Sequence, residues 1–230
     1  MSDGRAVEEL VVGVLGGTGP QGRGLAVRLA TAGQRILLGS RDAERASEVA
    51  GQIAERAAAA TGNEASVTGG ANADVAGAAD LVIVAVPFGG HADLLRELVE
   101  PLAGKVVVDC VNPMGFDELG AYVLDVPEGS AAQQAAALLP DSHVVGAFHH
   151  LSAVLLEDLS KPTLDGDVLV VGDDRASTDL VQALAGRIPG MRGVYAGRLR
   201  NARQVEALTA NLVSVNRRYK AHAGVRITDV

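Results

Sequence analysis

The chain has 230 residues, with 28 acidic and 20 basic side chains and a formal charge of −8; this excludes the broad basic surface that nucleic-acid binding requires. Apolar residues make up 48% of the chain, enough for a packed core and too many for a disordered protein. One cysteine, Cys110, supports neither an internal disulfide nor a cysteine-based metal cluster.

The N-terminus, Met1-Ser2-Asp3-Gly4-Arg5 followed by Glu8 and Glu9, lacks the basic-then-apolar plan of a signal peptide. No run reaches the ~18 uninterrupted apolar residues of a membrane span, so a cytoplasmic protein is expected. Leu10 to Leu15 is a short apolar run ending in glycines and reads as a buried strand. Pro20 to Ala32 is helical, with Leu25, Leu29 and Ala32 on one side and Gly33 as its stop. Arg35 to Leu38 is a second strand, Arg41 to Ala60 a helix rich in Ala, Glu and Arg, and Ala65 to Thr68 a third strand. Leu81 to Val86 reads as a strand covered on both faces, Ala92 to Leu102 as a helix, and Lys105 to Asp109 as another buried strand. Helix is expected over Ala131 to Leu139, strand over His143 to Ala147 and Asp167 to Val171, and helix over Ala176 to Arg187 and Leu199 to His222.

Strands alternating with helices predict an α/β fold, a Rossmann-type doubly wound parallel sheet. The change of pattern near residue 150 predicts two parts. Residues 1–150 would be a dinucleotide-binding domain, and 151–230 a smaller C-terminal α/β domain on the sheet's carboxyl edge.

The sharpest local signal is Gly17-x-Gly19-x-x-Gly22 between a predicted strand and a predicted helix. In this pattern glycines allow the turn, the approach of a pyrophosphate to the backbone, and close strand–helix packing. The helix N-terminus adds free N–H groups and partial positive charge. The second strand then selects the nucleotide. NAD sites place a carboxylate near its end; here the strand ends Leu38-Gly39-Ser40-Arg41. A hydroxyl and a guanidinium, with Arg45 one turn on, suit the 2′-phosphate of NADP. Asp42, beside Arg41, would weaken the site somewhat.

Phe88, at the end of the Val84-Ala85-Val86-Pro87 strand, either touches the adenosine half of the nucleotide or is a core aromatic. His91 is expected at the surface, and Cys110 as a small core residue. His149 and His150 are the only paired imidazoles. His149 either serves a ring ligand or ends a strand and bonds backbone. No His, Cys or carboxylate cluster has metal-ligand spacing.

The chain resembles the NADPH-dependent coenzyme F420 reductases (F420:NADP oxidoreductases). The resemblance rests on Leu15-Gly16-Gly17-Thr18-Gly19-x-x-Gly22-x-Gly24-Leu25-Ala26-x-Arg28-Leu29-Ala30 and on Gly39-Ser40-Arg41. It continues through Pro87, the His149 segment, Gly172-Asp173-Asp174 and Gly197-x-Leu199-x-Asn201-x-Arg203-x-Val205-Glu206-x-Leu208-Thr209. The resemblance implies direct hydride transfer between NADPH and a 5-deazaflavin, coenzyme F420, in a cleft. It implies that Thr18, Gly19, Pro20 and Gln21 meet the pyrophosphate and that Ser40, Arg41 and Arg45 hold the 2′-phosphate. Phe88 and Ala92 would be further contacts, with Ala153 and Ala223 near the nicotinamide end. Where the family can read Thr-Ile-Pro after the histidine, this chain reads His150-Leu151-Ser152. From Arg198 to Val230 seven cations face two acids, a local excess that would attract the anionic tail of F420. The Ala-rich late helices are expected to pack a homodimer. Two other functions fit the residues: another NADP-linked reductase, acting on an imine or a metal chelate, and an NADPH-binding redox sensor that transfers nothing.

Overall fold

The computed structural model describes residues 5–230. In chain order the strands are β1 (Val11–Leu15), β2 (Arg35–Ser40), β3 (Val67–Ala71), β4 (Leu81–Val84), β5 (Val106–Asp109), β6 (Met114–Asp117), β7 (Gly120–Val123), β8 (His143–Gly146), β9 (Gly166–Gly172) and β10 (Met191–Gly197). The helices are α1 (Pro20–Thr31), α2 (Ala43–Thr61), α3 (Asn72–Ala78), α4 (His91–Glu97), α5 (Val99–Leu102), α6 (Ala131–Leu138), α7 (Ala153–Glu157), α8 (Arg175–Gly186) and α9 (Ala202–Tyr219).

Eight strands form one sheet in the order β10-β9-β8-β5-β4-β1-β2-β3. From β8 to β3 every pairing is parallel. The central strands β4 and β5 are buried at every position, as expected for apolar runs sandwiched between helices. One core lies under α1, α2 and α8, where Leu25, Leu29, Ile53 and Leu184 meet Val14 and Ile83. The other lies under α3, α6 and α9, where Val75, Ala135 and Val205 meet Val82 and Val107. β1 pairs with both β2 and β4. The strand order therefore reverses between β1 and β4, which opens a crevice outside their carboxyl ends.

Residues 151–230 continue this sheet. β9 pairs antiparallel with the end of β8, through Val145↔Gly172 and Gly146↔Val171, and β10 pairs parallel with β9. The single helix expected over Ala92 to Leu102 is two helices, α4 and α5, broken at Leu98 (φ −112°, ψ 12°). Pro101 explains the break, because its ring would clash with the carbonyl of Glu97 in a continuous helix. The antiparallel hairpin β6–β7, the helices α3 and α7 and the strand β10 have no counterpart among the predicted elements.

Candidate functional site

The glycine turn joins β1 to α1 at the mouth of the crevice. Gly16 takes a left-handed conformation (φ +68°), so the tight turn lies one residue before the predicted Gly17. A Cβ on Gly22 would sit 2.7 Å from the Gly17 Cα, so only glycine lets helix and turn close up here. A Cβ on Gly19, in contrast, would meet nothing nearer than the Gly16 carbonyl at 3.4 Å. That side of the turn is open, and Gly19 caps α1 without a side-chain partner for the helix N–H groups. Pro20 follows at the first helical position, exposed, where its missing N–H costs nothing. Thr18 is half-buried, and its carbonyl accepts from Arg23 Nη1 at 3.0 Å. Asn72, which the sequence reading missed, braces the turn from α3 by accepting the Gly16 N–H on Oδ1 at 3.4 Å.

The end of β2 is bound to this turn: Gly17 N–H donates to the Gly39 carbonyl at 2.9 Å. Ser40 is buried, and its Oγ accepts the Asp42 N–H at 3.2 Å, which leaves the hydroxyl hydrogen to donate elsewhere. Asp42 caps α2 by accepting the Arg45 N–H at 3.0 Å, so its carboxylate serves the helix start. Arg41 and Arg45 are both exposed, and neither is paired with a carboxylate among the described residues. Two free guanidiniums at a helix N-terminus are unfavourable by themselves, and an added phosphate dianion would reverse the sign of that term.

Across the crevice, Gln21 Nε2 donates to the Phe148 carbonyl at 3.2 Å. Phe148 is fully buried at φ +66°, a left-handed conformation that a bulky residue adopts only under constraint. It sets up the turn that carries His149. Asn112 Nδ2 and Thr209 Oγ1 both donate to the His149 carbonyl, at 2.8 and 3.1 Å. The His149 ring is 2% exposed, and neither ring nitrogen has a partner. Burial holds its pKa down to about 4, so the ring is neutral near pH 7. Both nitrogens are closed to water in this conformation; a ligand reaches them only if the turn moves. Gln21 and Asn112 also line one cavity of about 180 Å³, together with Ala85, Val86, Cys110 and Val111 at the ends of β4 and β5.

Phe88 is half-buried, and its ring stacks on His91 with centroids 6.2 Å apart. Ala92, also half-buried, lies in the first turn of α4. His91 is not at the surface as expected: it is fully buried, with Nε2 2.6 Å from Asp109 Oδ2. Cys110 is a core residue; its thiol donates to the Val84 carbonyl at 3.0 Å, and burial raises its pKa.

Ala153 starts α7 and lines an open groove of about 480 Å³ beside Pro20 and Arg23. His150 and Ala223 line a different, small cavity of about 50 Å³, away from the one that Gln21 and Asn112 share. His150 Nε2 bonds the Asp167 carbonyl at 2.7 Å, and burial lowers its pKa. Among the described residues no group of His, Cys, Asp or Glu could hold a metal ion, and no helix is long and apolar enough to cross a membrane.

A second residue the sequence reading did not single out ties α7 to the glycine-turn helix. Arg28, 1% exposed, donates to the carbonyls of Leu155, Leu156, Asp158 and Lys161 at 2.7–2.8 Å. It satisfies the end of α7, whose carbonyls have no helical partners.

The family model for NADP oxidoreductase coenzyme F420-dependent proteins matches residues 11–113. The F420-dependent NADP reductase of Methanothermobacter thermautotrophicus is 38% identical over 224 residues, covering 95% of each chain. That of Methanocaldococcus jannaschii is 37% identical over 222 residues, covering 95% of this chain and 98% of its own. A crystal structure from Arthrobacter sp. FB24, assigned provisionally as an F420-dependent NADP reductase, superposes with a TM-score of 0.76 at 26% identity, over 95% of this chain and 99% of that one. The glycine turn, the Ser40–Arg41 strand end and the His149 turn thus sit in a chain similar to these reductases from end to end, and the chain belongs to the family of F420-dependent NADP reductases.

Proposed function

We propose that the chain transfers hydride reversibly between NADP(H) and coenzyme F420, with the nucleotide laid along the carboxyl edge from β2 to β5. Support comes from one observation above the others. Gln21, in the first turn of the phosphate-binding helix, lines the same cavity as Asn112, and Asn112 holds the carbonyl of His149. The nucleotide turn and the residue that holds the histidine turn thereby border one small cavity.

The residues fit both ligands. Thr18, Gly19, Pro20 and Gln21 would meet the pyrophosphate on the open side of the turn, where the α1 N–H groups are free of side-chain caps. Ser40, Arg41 and Arg45 would hold the 2′-phosphate with a free hydroxyl hydrogen and two unpaired guanidiniums. Phe88 and Ala92 would flank the adenosine side, and Ala153, beside Pro20 and Arg23, would border the nicotinamide end. Ala223 sits in the separate small cavity with His150 and does not join this site as the chain stands. His149, with two unpartnered ring nitrogens, would hydrogen-bond the deazaflavin once the turn moves.

The two ring systems supply the chemistry, a hydride passed from carbon to carbon, and the protein supplies orientation and dryness. Ala85, Val86 and Val111 would pack against a bound ring and keep water from it. The neutral His149 can donate or accept one hydrogen bond without adding charge. No acid–base residue is required, in keeping with the thiol of Cys110 being buried and protonated.

We also infer a homodimer in the cytoplasm. The β6–β7 hairpin exposes Phe116, Leu119 and Tyr122, and α9 exposes Val215 and Tyr219 nearby, a face that a second copy would cover. The cations of α9 would meet the anionic tail of F420, and residues 151–230 would form the smaller part that closes the cleft. The test is spectroscopic: NADPH mixed with oxidised F420 and catalytic protein should bleach the deazaflavin band. No bleaching, while an imine or a metal chelate is reduced instead, would replace this reading with another NADP-linked reduction.

A further inference from the structure

A polar cluster, fully buried at Asp109 and His91 and open to solvent at Glu128, lies behind the cavity that Gln21 and Asn112 line. Asp109, the last residue of β5, is fully buried and uses both oxygens: Oδ2 lies 2.6 Å from His91 Nε2, and Oδ1 accepts the Val111 N–H at 3.0 Å. Val111, with its neighbours Cys110 and Asn112, forms the β5 side of that cavity. On the far side of the ring, His91 Nδ1 lies 3.0 Å from Gln134 Oε1. The orientation of that amide is set by its other end, because Gln134 Nε2 donates to Glu128 Oε2 at 3.1 Å. Both ring nitrogens of His91 therefore face acceptors. A neutral imidazole has one N–H and would leave two lone pairs opposed; only the imidazolium donates at both ends.

Resting on the reading of the site as an NADPH–F420 reductase, we propose that His91 is a positioning residue. Held as an imidazolium between Asp109 and Gln134, it locks the Cys110–Asn112 segment in the geometry that presents the nicotinamide for hydride transfer, and steadies the stacked Phe88 ring on the adenosine side. It touches no ligand and acts through Asp109 and Phe88. The charged groups around it favour this state. Asp109 faces it from β5. Glu206 faces it from α9, but burial pushes its pKa up to about 7, so it is only partly charged near neutrality. Glu128 bonds its partner Gln134, and the one other titratable ring near Asp109, His149, is neutral. Burial alone would lower the pKa of His91; the Asp109 carboxylate and Gln134 outweigh it and raise the value above the usual one. The cluster thus puts a fixed cation and a carboxylate one layer beneath a cavity lined by two amides, Gln21 and Asn112, and four apolar or thiol side chains.

Two measurements test this. Ring-nitrogen NMR of the nucleotide-free protein with [15N]histidine should show one imidazole doubly protonated at pH 8, and its signal should vanish in His91→Gln. A His91 ring that titrates near its ordinary 6.5 overturns the proposal. In single-turnover kinetics, His91→Gln keeps a donor for Asp109 but no charge. It should bind NADPH within about twofold of wild type and transfer hydride to F420 about tenfold more slowly, since small misplacements of reacting groups cost this much or more. An unchanged transfer rate, or a loss of NADPH binding as large as the loss of rate, overturns it. Should His91→Gln not fold, Asp109→Asn serves: it keeps an acceptor for Val111, and the His91 ring should then lose its second proton by pH 8. A ring still doubly protonated contradicts the proposal. Wild-type protein run alongside separates the two levels. If it transfers no hydride the reductase reading fails, whereas wild-type transfer with an unaffected variant defeats only the role of His91.

Discussion

Gln21, in the first turn of α1, donates its side-chain amide to the carbonyl of Phe148, a buried residue held at φ +66° one position before His149. Such a conformation costs on the order of 1–3 kcal/mol, so the bond joins the nucleotide turn to a strained segment that needs support. Replacing Gln21 with Leu should remove about 1 kcal/mol, the usual net worth of one such bond. For a chain of this size that is a fall of about 2–4 °C in melting temperature. Hydride transfer should slow more than nucleotide binding weakens, which calorimetry and stopped-flow absorbance on the same variant would separate.

In the proposed site, cofactor choice would rest on Arg41. Replacing it with Ala should weaken NADPH binding by about 1.5–3 kcal/mol, the range for a charge-assisted contact, or roughly ten- to a hundredfold. NADH lacks the 2′-phosphate and should bind within about twofold of its wild-type affinity. Titration with both nucleotides checks this; equal losses would remove Arg41 from the phosphate site.

His149 gives a pH dependence whose sign can be worked out. In the folded chain burial keeps the imidazole unprotonated down to about 4, whereas the unfolded ring protonates at its ordinary 6.5. Between those values the unfolded state binds more protons, so stability contributed by this residue falls as pH drops through the window. At 1.36 kcal/mol per unit, the total is about 3 kcal/mol. His149→Gln cannot titrate. The stability advantage of wild type over this variant should therefore shrink by about that amount between pH 6.5 and pH 4, as read from urea unfolding at each pH. A constant difference would place His149 in water.

Arg28 holds four carbonyls of the segment 155–161. Replacing it with Met fills much of the volume but removes the side-chain donor of all four; the Asp158 carbonyl keeps the Lys161 N–H at 3.2 Å. A loss of about 3 kcal/mol or more is expected, because each orphaned buried group costs ~1–3 kcal/mol. Protease sensitivity should rise first around α7, where the carbonyl partners lie.

The fold was legible where apolar runs are short and bounded by glycine. Leu10 to Leu15, Leu81 to Val86 and Lys105 to Asp109 lie within a residue or two of β1, β4 and β5 because both faces of those strands are buried. The hairpin β6–β7 was not legible: Phe116, Leu119 and Tyr122 point outward, so its pattern carries no inward face. β10 was hidden by its composition, Met191-Arg192-Gly193, which lacks a run of β-branched residues. In the site, the Gly17-x-Gly19-x-x-Gly22 spacing and the Ser40-Arg41 strand end could be read directly, since each encodes a local geometry. Asn72, Asn112 and the His91–Asp109 pair could not. Their partners are 18 to 56 residues away in the chain, and only the folded sheet brings them together. The one available hint was a carboxylate, Asp109, at the end of a strand otherwise made of valines.

The central claim is direct transfer between two rings held in one crevice. NADPH carrying deuterium at the transferable position of the nicotinamide, mixed with oxidised F420 and the protein in ordinary water, tests it by mass spectrometry of the reduced deazaflavin. Deuterium on the deazaflavin carbon, in nearly one-to-one yield with bleaching, is the predicted result. Bleaching with the label lost to solvent, or label retained on the nicotinamide with no bleaching, would contradict it.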